Sequence, residues 1–306
     1  MEPMSIAPDI DHAAPAEPAE RMLAYDRFGP DIPDMPIILS VPHAGRLYDP
    51  ALLAQARVRP EMLRRLEDRW SDLLVHPLIA AGFSVLVARA PRACIDLNRH
   101  EREIDPAMVT GVPHAIALQS SQKLRGGLGL LPRRIVGAPE LWRGPIPWDE
   151  VQRRVEGLHR PYHAAVARLM TAARQVHGHA ILIDLHSMPP LPPPGAGQRA
   201  PGLVLGDRFG RSASPRLLAL AADVAAGHGV LAAQNHPYAG DHLIERHGRP
   251  ERDMHAVQLE IDRALYLDAA LDQPGPGLAR TRVLVAGIVQ ALANELPRTG
   301  YAQAAE

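Results

Sequence analysis

The hydrophobic residues of this chain form short uninterrupted runs that alternate with longer segments of helical spacing. Runs with the length of buried strands occupy residues 36–43, 83–89, 180–186, 202–206, 230–234 and 256–261. Helical spacing occurs at 60–81, 148–177, 214–228 and 278–296. The first of these segments is one helix or two with a break near Asp68, and the second has a kink or break at Pro161. Because strands alternate with helices, the pattern predicts a single α/β domain whose central mixed, largely parallel sheet is flanked by helices.

Three segments depart from this alternation. Residues 1–20 are rich in Pro, Ala and Glu and poor in hydrophobic side chains, which predicts a disordered tail before a folded domain at 21–306. Residues 105–147 contain many Gly and Pro and little periodicity, which is typical of a functional or mobile loop. The proline tract at 189–197 predicts a stiff, extended loop. We interpret it as a lid or wall beside a site, with binding of a partner module as the alternative.

Composition excludes several classes of function. The 33 basic and 34 acidic side chains give a net charge of -1, so the chain has neither a basic footprint for nucleic acid nor a polybasic membrane patch. No run is long enough to span a bilayer, and the N-terminal residues lack the features of a signal peptide. The one cysteine, Cys94, cannot form an internal disulfide. These features predict a cytoplasmic protein whose partner is a small molecule, and they leave its oligomeric state open.

Polar side chains stand where several predicted strands end. They are His43, Asp96 with Asn98 and Arg99, His186, Asn235 with His236, and Glu260. If the strands are parallel, these ends gather at one edge of the sheet, where open α/β proteins place their chemistry. Two histidines and a carboxylate are a catalytic zinc set, a further carboxylate can act as general base, and an Asn-Arg pair can hold a substrate carboxylate.

The motifs at these strand ends carry a family resemblance. They are Val41-Pro-His-Ala-Gly45, Asp96-Leu-Asn-Arg99, Asp184-Leu-His-Ser187, Asn235-His-Pro-Tyr-Ala-Gly240 and Gln258-Leu-Glu-Ile261. In this order the set resembles the N-formylglutamate amidohydrolase family over residues 36–296, and it is more distantly similar to zinc carboxypeptidases. The resemblance implies a zinc-carboxypeptidase-like fold and one zinc ion per chain.

The resemblance also implies roles for individual residues. His43 and His186 would be zinc ligands, and Asn98 and Arg99 would bind the carboxylates of an acyl-amino acid. Glu260 would activate water and pass the proton to the leaving amine. Arg92 would steady the oxyanion or a substrate carboxylate.

The third metal ligand is not fixed by the motifs. Carboxypeptidases carry it three residues after the first histidine, where this chain has Arg46, a side chain that does not ligate zinc. The amidohydrolase family instead has an acidic stretch that matches residues 67–72. We choose Asp68 over Asp72, although on a continuous helix the two share one face.

Three functions follow from this reasoning. The first is a zinc-dependent amidohydrolase that cleaves N-formyl-L-glutamate to formate and L-glutamate, in the late steps of histidine breakdown. The second is a deacylase or carboxypeptidase-type hydrolase acting on another N-acyl amino acid. The third is a non-catalytic metal- or carboxylate-binding relative that has kept the pocket but lost turnover. Retention of Glu260 argues against it, because binding alone does not need a general base, although Glu260 could also be an ordinary charge on an edge strand. His159 and His163 are interpreted as surface or packing residues, and no role is assigned to His242 or His247.

Overall fold

A seven-stranded sheet forms the centre of the structure. The computed structural model describes residues 23–135, 137–195 and 197–295, so the predicted tail at 1–20 lies outside the described residues. The strands are β1 (Tyr25–Phe28), β2 (Ile37–Val41), β3 (Ser84–Ala88), β4 (Val109–Thr110), β5 (Ile146–Pro147), β6 (Ala180–Met188), β7 (Leu203–Gly206), β8 (Ala232–Gln234) and β9 (Met254–Asp262).

The sheet is mixed, and its central strands are parallel. Its order is β1-β3-β2-β6-β9-β7-β8, while β4 and β5 pair with each other separately. Strands β3, β2, β6 and β9 run parallel, whereas β1 and β7 pair antiparallel with β3 and β9. The predicted single α/β domain with a mixed, largely parallel sheet is therefore confirmed.

Helices cover both faces of this sheet. They are α1 (Pro50–Gln55), α2 (Pro60–Arg64), α3 (Asp72–Ala80), α4 (Gln122–Arg125), α5 (Trp148–Arg154), α6 (Arg160–His177), α7 (Pro215–Gly227), α8 (His242–His247) and α9 (Leu278–Glu295). Helix α6 packs on β6, β2 and β3 on one face, and α3, α7 and α9 pack together on the other.

The two hydrophobic cores follow from the alternation of side chains along each strand. Ile38 and Leu182 face the core under α6, whereas Ile37 and Ile183 face the core under α9, and all four are fully buried. Burying a side chain of this size contributes roughly 1.5–3 kcal/mol. Strands that bury both faces read as continuous hydrophobic runs, which is why the sequence pattern located them.

The segment at 60–81 forms two helices rather than one. Helix α2 ends at Arg64 and α3 begins at Asp72, so residues 65–71 form an irregular turn between them. The predicted break near Asp68 is therefore present. Because of it, Asp68 precedes α3 and does not share a helical face with Asp72, as it would on a continuous helix.

The segment at 148–177 is helical throughout, with a π-helical turn at Val155–His159 between α5 and α6. Proline has no backbone N–H and its ring crowds the carbonyl four residues earlier. The wider turn directly precedes Pro161 and accommodates it, so the predicted break is a local change of helix type.

Strand β1 was not predicted from the sequence. It has four residues, half of them exposed, and it lies at the edge of the sheet. A short edge strand buries too little to produce a hydrophobic run.

In the part of the chain that the structure describes, none of the helices combines the length and hydrophobicity that a membrane crossing requires.

Candidate active site

Two imidazoles and one carboxylate converge at the carboxyl ends of the central strands. His43 lies two residues after β2, His186 lies near the end of β6, and Asp68 lies in the turn between α2 and α3. The Nδ1 atom of His186 is 3.1 Å from Nδ1 of His43 and 3.0 Å from Oδ2 of Asp68, and that oxygen is 3.4 Å from Nδ1 of His43. All three side chains are buried.

Further carboxylates fix the orientation of both rings. The Nε2 atom of His43 is 2.7 Å from Oδ1 of Asp96, and Nε2 of His186 is 2.8 Å from Oδ2 of Asp184. A carboxylate accepts a proton, so each Nε2 donates and each Nδ1 is left to face the other ring and Asp68. Metal-binding histidines are held by carboxylates in this way.

The spacing of the three donor atoms suits a tetrahedral metal ion. Zinc bonds of about 2.0–2.1 Å place neighbouring donors of a tetrahedron roughly 3.3 Å apart, and the three separations here are 3.0, 3.1 and 3.4 Å. Two imidazole nitrogens and a carboxylate oxygen also match zinc in chemical type. His43, Asp68 and His186 are therefore able to hold such an ion.

The carboxylates and imidazoles of this cluster stabilise one another's charges. Burial opposes a charge on Asp68, but hydrogen bonds with His186 and His43 outweigh it and hold the pKa of this carboxyl well below its usual value. Burial likewise opposes a charge on His186, yet Asp184 and Asp68 raise the pKa of this imidazole well above its usual value. The cluster is thus a compact set of opposite charges that favours a cation beside Asp68.

The backbone at His43 is fixed by the approach of a second loop. Gly45 follows His43 by two residues, and a Cβ atom there would lie 1.9 Å from the carbonyl oxygen of Ala90. Only glycine permits this contact. The glycine of the Val41–Gly45 motif therefore sets the path of the chain that carries His43 toward Asp96.

Asp68 and Asp72 have different surroundings. Besides the two histidines, Asp68 contacts Arg263, whose guanidinium lies 3.1 Å from Oδ1. Asp72 instead receives two hydrogen bonds of 2.8 Å from Arg46, the residue at the position where carboxypeptidases carry their ligand. The structure brings Asp68, and not Asp72, to the two histidines.

Glu260 lies beside this cluster. In the register of β6 and β9 it is the partner of His186, and it borders the same cavity. Its Oε1 atom accepts a hydrogen bond of 2.9 Å from Nε2 of Gln258. Burial raises the pKa of Glu260 to about 7. A carboxyl group with this pKa can both accept and release a proton near neutral pH.

Of the three remaining predicted site residues, Arg92 and Asn98 border the cavity and Arg99 does not. Arg92 borders the cavity and donates to Oδ2 of Asp96 at 2.8 Å. Asn98 also borders it, with Nδ2 3.1 Å from Nε2 of His186 and Oδ1 accepting from the backbone N–H of Leu243 at 2.7 Å. Arg99 is not among the lining residues: its guanidinium is buried and pairs with Asp241 at 3.0 Å.

The cavity has a volume of about 680 Å³ and an excess of positive charge. Seven of its lining residues are Arg or Lys and five are Asp or Glu. The loop at 105–147 supplies one wall, with Lys123, Gly126, Leu128, Arg134 and Ile135. Pro189, the first residue of the proline tract, also borders the cavity.

Sequence reasoning missed several of these lining residues. Arg263 follows β9 directly, so the criterion of polar residues at strand ends could have included it. Lys123 and Arg134 belong to a segment without periodicity, and no signal in the sequence marks them. Asn235 was expected at this edge, but β8 runs opposite to the central strands, and Asn235 instead donates to Asp207 at 2.7 Å.

Comparison with known proteins identifies the family. The model of the N-formylglutamate amidohydrolase family matches residues 35–267. The chain belongs to this family. The N-formylglutamate deformylase of Pseudomonas aeruginosa is 30% identical to it over 244 residues, which cover 76% of this chain and 83% of that enzyme. The N-formylglutamate deformylase of Pseudomonas putida is 30% identical over 247 residues, which cover 76% of this chain and 82% of that enzyme.

A solved structure of an N-formylglutamate amidohydrolase agrees with this assignment. The crystal structure of the protein from Ralstonia eutropha superposes with a TM-score of 0.80 at 32% identity, and the match covers 89% of this chain and 98% of that one. The resemblance inferred from the five motifs is thus confirmed. The roles of His43, Asp68, His186, Glu260 and the substrate-binding residues stay predictions.

Proposed function

We propose that this protein is a zinc-dependent amidohydrolase that cleaves N-formyl-L-glutamate to formate and L-glutamate. The observation that carries the proposal is the convergence of His43, His186 and Asp68 at distances of 3.0–3.4 Å, with Glu260 at the same cavity. The names of the relatives support the substrate. The cytoplasm and the late steps of histidine breakdown are the proposed setting.

The ion would be held by Nδ1 of His43, Nδ1 of His186 and Oδ2 of Asp68. When bound there, zinc supplies a Lewis acid that polarises a carbonyl oxygen and lowers the pKa of water. Asp96 and Asp184 hold the two rings in the tautomer that presents Nδ1. Arg263 restrains the second oxygen of Asp68.

Glu260 is the proposed general base and then the general acid. Its carboxylate accepts a proton as the water oxygen bonds to the formyl carbon, and it returns that proton to the amine nitrogen as the C–N bond breaks. Its position across from His186 and its raised pKa support both proton transfers. Arg92, which also borders the cavity, is proposed to steady the negative charge that develops on the formyl oxygen.

The substrate carries two carboxylates, and the cationic lining suits them. Asn98 borders the cavity and is proposed to contact one of these groups. The family motif assigns Arg99 to the same task. Arg99 pairs with Asp241, which borders the cavity, so Arg99 is proposed to contribute by positioning Asp241. Lys123 and Arg134 are the further candidates, because both line the cavity wall that the loop at 105–147 supplies.

The deciding experiment measures metal content and formate release for the wild type, Glu260→Gln and the control Glu251→Gln. Glu251 is exposed and lies just before β9, outside the cavity. We expect turnover with zinc in the wild type and control, and retained metal with at least about 1,000-fold lower kcat in Glu260→Gln. Bound zinc without formate release would contradict the formyl substrate and direct the search to other N-acyl amino acids. A fully active Glu260→Gln protein would contradict the assigned base.

A further inference from the structure

A second group of histidines lies outside the cavity. It consists of His159 in the π-helical turn, His163 in α6 and His242 at the start of α8. One ring nitrogen from each lies within 4.8 Å of the nitrogens from the other two. The exposed fractions of the three residues are 0%, 0% and 8%, and none of them borders the cavity of the candidate active site.

Backbone carbonyls fix the tautomers of two of these rings. The Nε2 atom of His159 donates to the carbonyl oxygen of Arg99 at 2.8 Å, and Nε2 of His163 donates to that of Leu97 at 2.9 Å. A carbonyl oxygen accepts only, so each Nε2 carries the proton and each Nδ1 carries a lone pair. Metal-binding histidines are oriented by carbonyls in the same way.

The lone pairs of this group are poorly satisfied. Among the described residues, Nδ1 of His159 and both ring nitrogens of His242 have no hydrogen-bond partner, although these atoms are buried. Nδ1 of His163 faces Nε2 of His247 at 3.0 Å, a proton donor that an ion would displace. A buried polar atom without a partner costs roughly 1–3 kcal/mol. A cation bound among the three rings would give unpartnered nitrogens of His159 and His242 a ligand interaction.

The charge state of the group suits a metal ion. Burial lowers the pKa of His159, holds that of His163 well below its usual value, and lowers that of His242 to about 3. All three rings are thus neutral near pH 7 and have lone pairs to give. Of the charged residues that act on the group, Glu101 and Asp96 favour a cation and Arg246 opposes one.

We propose that His159, His163 and His242 form a second metal site, which binds a transition-metal dication of the zinc type through three imidazole nitrogens. Imidazole suits zinc, copper and nickel, and a group without oxygen donors does not suit magnesium or calcium. The two carbonyls that orient the rings lie on either side of Asn98. An ion at this site would therefore brace the segment that holds Asn98 against the candidate active site.

The test counts zinc ions on the full chain after removal of metal with a chelator. Calorimetric titration with Zn²⁺ is expected to give two sites in the wild type, one in His242→Leu and one in Asp68→Asn, with none in the double variant. The affinity of the histidine site is expected to fall more than about 100-fold in His242→Leu. Co²⁺ gives a second readout, because the absorption of its second equivalent is expected to be lost in the same variant.

Two further variants protect this test from a folding artefact. His179→Leu is the matched control. Among the described residues His179 is also buried and its Nε2 has no partner, but it lies just before the first residue of β6, whereas His186 lies near the last. The control protein should bind two ions. In His159→Gln the amide can still donate to the carbonyl of Arg99, so the fold is kept while the ligand is lost, and one ion is expected. Two results would overturn the proposal of a second metal site. One is a wild type that binds a single zinc ion, which only Asp68→Asn removes. The other is a His242→Leu protein that still binds two ions, and neither result would contradict the proposed amidohydrolase activity.

Discussion

Asp68 uses both of its oxygens in the candidate active site. Oδ2 faces the two histidines and Oδ1 faces Arg263 at 3.1 Å. The contact with Arg263 leaves Oδ2 as the oxygen that points toward the rings. A carboxylate held in this way loses little conformational freedom when it binds an ion.

Asp68 and Asp72 give a matched pair for testing the third ligand. Asp68→Asn is expected to lower zinc affinity at the candidate active site by at least about 100-fold, because an amide oxygen is a weak ligand without charge. Asp72→Asn breaks only the partly exposed pair with Arg46, so its zinc affinity should match that of the wild type. Calorimetric titration of both proteins provides the measurement. The reverse result would assign the ligand to Asp72.

The titration of Glu260 sets the expected pH dependence of activity. Burial raises the pKa of this carboxyl to about 7, and a general base works only when ionised. The ionised fraction falls as the pH drops below the pKa, so kcat/KM should fall tenfold per pH unit on the acid side. A bound cation stabilises the ionised form, so this decline should begin at or below pH 7. A profile of kcat/KM between pH 4 and 9 measures it, and a rate that increases toward acid pH would contradict the role.

At the scale of elements, the loop at 105–147 builds one wall of the cavity with two cations. Lys123 lies on α4, with its Nζ atom 3.9 Å from Asp241 and 5.5 Å from the ring of Tyr238. The guanidinium of Arg134 is held by the carbonyls of Arg125 and Gly126. The carboxylate nearest to Lys123 is already paired with Arg99 at 3.0 Å, and backbone carbonyls hold Arg134, so both cations are anchored at the cavity wall.

Lys123→Met is expected to raise KM for N-formyl-L-glutamate by about 10-fold or more with little change in kcat. A charge-assisted contact to a substrate carboxylate contributes roughly 1.5–3 kcal/mol of binding. Arg125→Met is the control, because Arg125 lies on the same helix but is exposed and does not border the cavity. Steady-state kinetics of both variants decides. An unchanged KM in Lys123→Met would remove this residue from the substrate site.

The elements that the sequence could predict are those that bury a continuous or periodic pattern. Strands β2, β3, β6, β7 and β9 and helices α6, α7 and α9 all do so. Edge strand β1 and short helices such as α4 bury too little to leave a pattern. The turn at 65–71 was located only as a break, because its path depends on contacts such as the hydrogen bond from the backbone N–H of Asp68 to the carbonyl of His43.

At the scale of the whole molecule, the candidate active site is a product of topology. Parallel strands β2, β3, β6 and β9 all end at one edge, so His43, the segment at 92–99, His186 and Glu260 meet there. The sequence predicted this meeting from the strand ends alone. It could not predict the cationic wall, which comes from a loop whose position is set by tertiary contacts rather than by strand order.

The candidate site joins segments that are far apart in the sequence, and this gives a prediction about stability. The three proposed ligands come from the loop after β2, from the turn before α3 and from β6, so an ion that binds them would stabilise the folded chain over the unfolded one. At a free zinc concentration 100 times the dissociation constant the gain is about 2.7 kcal/mol, which corresponds to roughly 4 °C in Tm for a domain of about 300 residues. Thermal unfolding of metal-free protein with and without Zn²⁺ measures this shift, with Mg²⁺ as the control that should have no effect. In Asp68→Asn the shift should shrink to the part contributed by the histidine site. A wild-type Tm that does not respond to zinc would contradict metal binding at both sites.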